Sequence, residues 1–400
     1  MRVFQINVTA NWGSTGRVVE EIGEKIITEG GNSYVAYGRY ASSSCSHLIR
    51  IGSDIDVYIH LIFTRLWDRH GLASIASTKK LIKQIIKVQP DIIHLHNIHG
   101  YYLNYPLLFH FFSELNVPIV WTLHDCWSFT GHCTHYSFVK CNRWHTLCHS
   151  CPQKKKYPSS LLFDRSEQNF RDKMYSFTSI KNMVLVSVSE WLASEVRQSF
   201  LKKYPIKVIH NGIDTNIFIP KYLNKLDLGI DDKFVVLGVA SIWSDRKGLI
   251  DFIKLREILS DDYIIILIGL NDKQIKKLPK GCLGVYRTNS IEELAKYYSV
   301  ADVYVNTSVE ETFGLTTIEA FACGTPAIVY NATACPEVIT EETGFVVKQG
   351  DLIDVANKID QIRRKGKSVY TEACRRRAVE FYDKTNKYNE YLKLYKELLN

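Results

Sequence analysis

Two carboxylates frame a helix start in Ser308-Val309-Glu310-Glu311-Thr312-Phe313-Gly314-Leu315-Thr316-Thr317-Ile318-Glu319-Ala320, with seven residues between Glu311 and Glu319. Glu311 precedes the predicted helix and Glu319 lies about a turn and a half inside it. At ~1.5 Å rise per residue both can face one small ligand. The amides of Gly314, Leu315 and Thr316 are predicted to be unpaired donors at the positive end of a helix dipole, where a diphosphate binds. A carboxylate accepts two hydrogen bonds from a vicinal diol such as a ribose or a hexose. A ligand with a sugar at each end and phosphate between them, a nucleotide sugar, satisfies all of these groups.

Lys247 is the next candidate. Ser241-Ile242-Trp243-Ser244-Asp245-Arg246-Lys247-Gly248 follows a predicted strand and opens a helix. A cation there meets the diphosphate and balances charge on the departing nucleotide. His124-Asp125 ends the strand Ile119-Val120-Trp121-Thr122-Leu123, at the end where α/β sites are built. For His124 a buried structural role is the alternative to a site role. His94, His96 and His99 occupy a similar strand end; His94 and His96 share a face and read as packing or acceptor contacts before a metal pair. Between residues 126 and 151 lie Cys126, Cys133, Cys141, Cys148 and Cys151, with four histidines among them. Cys148 and Cys151 form a C-x2-C pair, which Cys133 and Cys141 complete to four thiolates for a structural zinc. The spacing is not a standard finger spacing, so reduced thiols and disulfides stay open. Four thiolates leave no open coordination position, which speaks against catalysis by such a metal. Asp54-Ile55-Asp56 reads as a loop or helix-cap pair rather than a metal site.

These residues need a scaffold that gathers strand ends. Strand patterns at Val3–Val8, Tyr34–Tyr37, Ile92–His96, Ile119–Leu123, Val184–Val188 and Lys207–His210 alternate with helix patterns such as Gly16–Thr28, Lys79–Val88 and Glu190–Leu201. The second half repeats the scheme at Phe234–Val239, Tyr263–Ile268, Val303–Asn306 and Ala327–Tyr330. The fold class is therefore α/β, with two doubly wound parallel sheets. A chain of 400 residues is too long for one core, and no uncharged apolar run is long enough to span a membrane. The first residues lack the apolar segment of a signal peptide, so a cytoplasmic location with reduced thiols is expected. Residues 1–212 hold 24 Lys/Arg against 15 Asp/Glu, and residues 213–400 hold 26 against 27. The first half therefore meets something anionic. A membrane surface fits better than nucleic acid, for which no binding motif is present. Lys79, Lys80, Lys83 and Lys87 share one side of an apolar helix pattern, which either rests on anionic lipid or is a solvated face.

The Glu311–Glu319 segment resembles the E-x7-E signature of retaining glycosyltransferases of the two-Rossmann type (the GT-B architecture), family 4. The resemblance runs through Ala320-Phe321-Ala322-Cys323-Gly324-Thr325-Pro326, Pro336-Glu337-Val338 and Thr343-Gly344-Phe345, and back to Leu294-Ala295 and Ala301-Asp302-Val303. It is strong over roughly the last 170 residues and weaker before them. It implies two Rossmann-like domains facing across a cleft. The first is an acceptor-side domain, 1–212, carrying a Cys-rich insert at 126–151 and closing at the Asn211-Gly212-Ile213-Asp214 turn. The second is a nucleotide-sugar-binding domain at 213–381, entered through a polar linker at 215–232. A helix at 382–400 crosses back to the first. By the same resemblance Glu319 holds the ribose and Glu311 the donor sugar hydroxyls. Lys247 and the Phe313–Thr316 segment hold the diphosphate, His124 lies near the donor sugar, and the segment with Arg287 holds the base. The Gly13–Gly16 loop approaches donor or acceptor. The family commonly has an Arg where this chain has Ile242, so Arg246 either replaces it or is solvated.

The implied reaction moves a sugar from a UDP- or GDP-sugar donor to a glycan acceptor, with no catalytic divalent metal and no covalent glycosyl-enzyme. The Trp- and Cys-rich insert resembles bacterial enzymes of capsule, colanic-acid-type or O-antigen synthesis, which implies a polyprenyl-linked acceptor and peripheral contact at the inner face of the cytoplasmic membrane. The alternatives are a nucleotide-sugar epimerase of similar architecture and an inactive nucleotide- or glycan-binding partner in a synthase complex.

Overall fold

Continuous apolar runs flanked by helices cannot be half-solvated, so they collapse into sheets covered on both faces. The computed structural model describes residues 1–222, 225–230 and 233–400, and among these thirteen strands form two all-parallel sheets. The first sheet contains β1 (Arg2–Asn7), β2 (Asn32–Tyr37), β3 (His47–Arg50), β4 (Ile92–Leu95), β5 (Ile119–Leu123), β6 (Met183–Ser187) and β7 (Ile206–Val208), in the order β3-β2-β1-β4-β5-β6-β7. The second contains β8 (Phe234–Val239), β9 (Tyr263–Ile268), β10 (Cys282–Val285), β11 (Val303–Asn306), β12 (Ala327–Tyr330) and β13 (Gly344–Val347), in the order β10-β9-β8-β11-β12-β13. The strand order reverses between β1 and β4 in the first sheet and between β8 and β11 in the second. Ligands of open α/β sheets bind at such switch points, outside the carboxyl ends of the strands.

The chain divides into two units, one of Met1–His210 with Lys387–Asn400 and one of Asn211–Asn386. The core of the first unit includes Val3, Ile92, Val120 and Val186 from its strands and Ile22 and Ile26 from the helix Gly13–Thr28. Tyr388, Tyr391, Leu392 and Tyr395 from the helix Lys384–Leu399 belong to the same cluster. Tyr391 takes a hydrogen bond from Thr122 Oγ1 (3.1 Å), and the Tyr395 hydroxyl lies 2.6 Å from His94 Nδ1.

Several strands shift by a residue or two from the expected boundaries, and three helices shift further. The helix expected from Gly16 starts at Gly13, so Gly13–Gly16 is its first turn rather than a loop. The helix expected from Lys79 starts at Ile75. The one expected over Glu190–Leu201 ends at Arg197; Ser199 caps a separate turn at Phe200–Lys203 through the Leu201 amide (3.1 Å). The linker expected at 215–232 falls partly on 223–224 and 231–232, outside the described residues. Asp54-Ile55-Asp56 is a helix start. Asp56 and Ser53 exchange hydrogen bonds in a capping box that begins the helix Asp54–Trp67. No helix among the described residues is long and apolar enough to cross a membrane.

Candidate active site

Adjacent strands β8 and β11 deliver two loops to the switch point of the second sheet. The loop after β8 ends in a tight turn, Asp245–Lys247, and the loop after β11 carries Glu311. The Val309 amide donates to the Arg246 carbonyl (2.9 Å), clipping the loops together. Gly248 makes this possible: it has φ +73°, and a Cβ there would sit 2.3 Å from Thr307 Oγ1. The outcome is an ion pair between Lys247 Nζ and Glu311 Oε1 at 2.5 Å, with both side chains largely buried. Burial alone would raise the Glu311 carboxyl. The Lys247 ammonium, hydrogen bonds from Lys247 and Ser308, and the Arg246 charge outweigh it and hold the carboxyl below its ordinary value. Glu311 is further fixed by its amide, which donates to Thr333 Oγ1 (2.9 Å).

Gly314, at φ +90°, turns the chain into the helix Leu315–Ala322, whose N-terminus has no side-chain cap. Uncapped amides at a helix start suit an anion. Thr316, in the first turn, is oriented by the Tyr304 hydroxyl (2.8 Å), and Glu319 accepts from the Tyr298 hydroxyl (2.8 Å). Tyr298 and Tyr304 are buried, and burial raises both phenols well above their ordinary range, so they act as hydrogen-bond donors. The structure thus brings Glu311, Lys247, Arg246 and the helix start together. Phe313 is buried with its ring 5.8 Å from Tyr382, which leaves its backbone as the part able to meet a ligand. Arg287 is exposed on the loop after β10, with β9 between that strand and β8.

In the first unit, His124 Nε2 lies 3.1 Å from His96 Nδ1, and His96 Nε2 lies 3.2 Å from Gln5 Oε1. Burial pushes His124 down to about 4, so it is neutral at physiological pH. His94 is held between Thr122 and Tyr395, which makes it a satisfied core histidine. Asp125 accepts from the Trp127 amide (2.9 Å) and pairs with His99 (2.8 Å), whose other ring nitrogen meets the Tyr157 hydroxyl (3.0 Å). Burial alone would raise the Asp125 carboxyl, but His99 outweighs this and holds it at about 2.

Sequence reasoning did not single out Tyr298, Tyr304, Thr333 or the Asp125–His99–Tyr157 chain. It also missed Lys173, which is fully buried, donates to the Trp127 and Thr130 carbonyls (2.7 and 2.9 Å), and lies 3.6 Å from the centre of the Trp127 ring. Its place on a helix with a mostly polar sequence gave no signal that it points inward. All ten cysteines are free thiols. Among the described residues no group of three or more His, Cys, Asp or Glu side chains forms a ready metal cluster. Cys133, Cys141, Cys148 and Cys151 nevertheless line one cavity with His132 and His149.

Two parallel α/β sheets of seven and six strands are the architecture of GT-B glycosyltransferases. Residues 15–217 match the family described as Glycosyltransferase Family 4, and residues 233–365 match Glycosyl transferases group 1. The chain belongs to glycosyltransferase family 4. It is 23% identical over 377 residues, 89% of each chain, to the Escherichia coli (strain K12) protein WcaC, assigned to colanic acid biosynthesis as a glycosyl transferase. It is 27% identical over 231 residues, 54% of this chain and 60% of the other, to the Campylobacter jejuni N,N'-diacetylbacillosaminyl-diphospho-undecaprenol alpha-1,3-N-acetylgalactosaminyltransferase. Among solved structures it resembles Anabaena HepE in complex with UDP-glucose, with a TM-score of 0.67 and 15% identity, covering 99% of this chain and 100% of that one.

Proposed function

We propose that this glycosyltransferase moves a sugar, with retention of configuration, from a UDP- or GDP-sugar to a hydroxyl of a polyprenyl-linked glycan during bacterial surface polysaccharide synthesis. The observation that carries the reading is the Lys247–Glu311 ion pair beside the uncapped start of the helix Leu315–Ala322. Lys247 and the amides at Gly314–Thr316 take the diphosphate, Glu319 the ribose hydroxyls, and Glu311 the donor sugar hydroxyls. The bond from the anomeric carbon to phosphate breaks as the acceptor oxygen bonds to the same face. The acceptor proton passes to the departing phosphate oxygen. Catalysis is then positioning and charge stabilisation. The second unit supplies the donor groups, and the first is assigned to the acceptor. The undecaprenol-linked substrate in the name of the Campylobacter jejuni relative supports a lipid-linked acceptor, and with it a reaction at the inner face of the cytoplasmic membrane.

A panel of UDP- and GDP-sugars, assayed for release of the nucleoside diphosphate, tests this reading. One nucleotide family is expected to be hydrolysed slowly without acceptor and faster with lipid-linked glycan. Release of an epimerised sugar would assign an epimerase instead. Tight nucleotide binding with no turnover of any donor would assign a non-catalytic partner.

We also propose that Cys133, Cys141, Cys148 and Cys151 take one structural zinc, which draws the thiols lining their cavity into tetrahedral thiolate coordination. Burial pushes the Cys148 thiol up to about 11, and the hydrogen bond with Cys133 brings Cys151 down to about 7. A cation in the cavity would stabilise both as thiolates. Elemental analysis should find close to one zinc per chain, and Cys148→Ser should lower it while nucleotide binding persists. Metal-free protein with a protease-resistant loop would overturn the site. Turnover should survive brief EDTA treatment; activity restored specifically by Mg²⁺ or Mn²⁺ would show that a divalent ion, rather than Lys247, neutralises the diphosphate.

A further inference from the structure

The helix Asp54–Trp67 is inside out. Its buried residues are His60 and Thr64, and its outward face carries Ile55, Tyr58, Ile59, Ile62, Phe63 and Trp67, all exposed. The inward histidine is fully used: its Nδ1 meets Ser74 Oγ (2.8 Å) and its Nε2 accepts from the Gly71 amide (2.9 Å). The helix is therefore anchored by polar bonds and presents an unpartnered apolar stripe at i, i+3, i+4, i+7 and i+8 spacing. The stripe continues onto a loop. The Leu161 amide donates to the Arg65 carbonyl (2.7 Å), and Leu161, Leu162 and Phe163 are 56%, 63% and 56% exposed. Scattered exposed apolar residues are ordinary, but six on one helix face, with three more on a loop bonded to that helix, are not.

The surroundings of this patch are basic. Lys154 Nζ donates to the Leu162 carbonyl (3.2 Å), and Lys155, Lys156 and Arg69 are exposed nearby in the chain. The helix Ile75–Val88 begins against the same element, where Ser77 and Lys80 act on Asp56, and it exposes Lys79, Lys80, Lys83 and Lys87. From residue 50 to 90 there are seven Lys/Arg against three Asp. Of those acids, Asp54 pairs with Arg50, Asp56 closes the helix cap and Asp68 is buried against His132.

We infer that the outward face of Asp54–Trp67, with Leu161–Phe163, docks the first unit onto an anionic lipid bilayer, the apolar side chains entering the headgroup boundary and the lysines pairing with lipid phosphates. This deepens the proposed function, on whose lipid-linked acceptor it rests. A second copy of the chain is the poorer occupant, because a two-fold interface would set one basic rim against another. Tyr58 and Trp67, apolar rings with one polar atom each, suit the water–lipid boundary.

Flotation with vesicles of phosphatidylcholine alone, and of phosphatidylcholine with about one-third phosphatidylglycerol, tests the inference, with UDP and GDP binding measured on the same preparations. The chain is expected to float with the anionic vesicles and to be released by salt. Ile59→Glu with Phe63→Glu should cut flotation about tenfold or more, since the two side chains lose their burial in lipid. Lys83→Glu with Lys87→Glu should weaken flotation and flatten its salt dependence. Both double variants should keep nucleotide binding and melting temperature, because the altered side chains are exposed. No flotation of the parent chain, or undiminished flotation of the Ile59→Glu/Phe63→Glu variant, would overturn the docking surface. So would a parent dimer that this variant converts to monomer without change in vesicle binding. Absence of UDP and GDP binding by the parent would instead count against the proposed donor and reaction.

Discussion

Lys247→Ala is expected to lower kcat by about 100-fold or more, the scale seen when a preorganised charge stabiliser is removed. The ammonium faces charge that grows on the diphosphate as the glycosidic bond breaks, so its removal should act on turnover more than on donor binding. The variant should also show a pH signature. Glu311 is buried, which raises its carboxyl, and Lys247 is the largest influence opposing that. Without Lys247 the carboxyl pKa climbs, so the acid limb of the kcat/KM profile should move to higher pH. Lys247→Arg should restore part of the rate. Near-normal turnover in Lys247→Ala would pass the role to Arg246, whose charge also acts on Glu311.

Glu319→Ala should weaken nucleoside diphosphate binding by about 1.5–3 kcal/mol, the range for hydrogen bonds to a charged group. Calorimetry reads this directly. One control is needed, because the substitution also strands the buried Tyr298 hydroxyl that donates to Glu319. Tyr298→Phe removes that bond while leaving the carboxylate. It should keep most of the affinity, whereas Glu319→Ala should not. Equal loss in both would mean that Glu319 serves the packing of its own helix, and unchanged affinity in a folded Glu319→Ala variant would reject the ribose assignment.

The sequence showed the middle of each sheet better than its margins. β4, β5, β11 and β12 are buried along their whole length and read as mostly apolar runs. The strands left out of that reading, β3, β10 and β13, are four-residue edge strands. His47-Leu48-Ile49-Arg50 leaves three of its four side chains exposed, so it carries neither an apolar run nor a clean alternation. The carboxylates and Lys247 were legible as a pattern. Their contact was not, because it depends on β8 and β11 being neighbours, a fact of topology. Tyr298 and Tyr304 looked like ordinary core aromatics, since a sequence does not show that a phenol ends on a site carboxylate or threonine. The helix Asp54–Trp67 was read only at its start, as a possible cap. Its apolar spacing would suit a core-facing helix, and only the structure shows that His60 and Thr64 face inward.

The return of Lys387–Asn400 to the first unit has a consequence for biosynthesis. The ribosome makes β1 to β7 and then the whole of Asn211–Asn386 before it reaches Tyr391 and Tyr395. At about 5–20 residues per second, that interval lasts roughly 10–35 s. Throughout it the nascent first unit lacks the tyrosines that close over His94 and Thr122, and that part of its core cluster stays open to water. Such an unfinished apolar face is a docking place for chaperones and a hazard for aggregation. Expression yield should therefore respond to holding chaperones more than the stability of the finished protein would suggest.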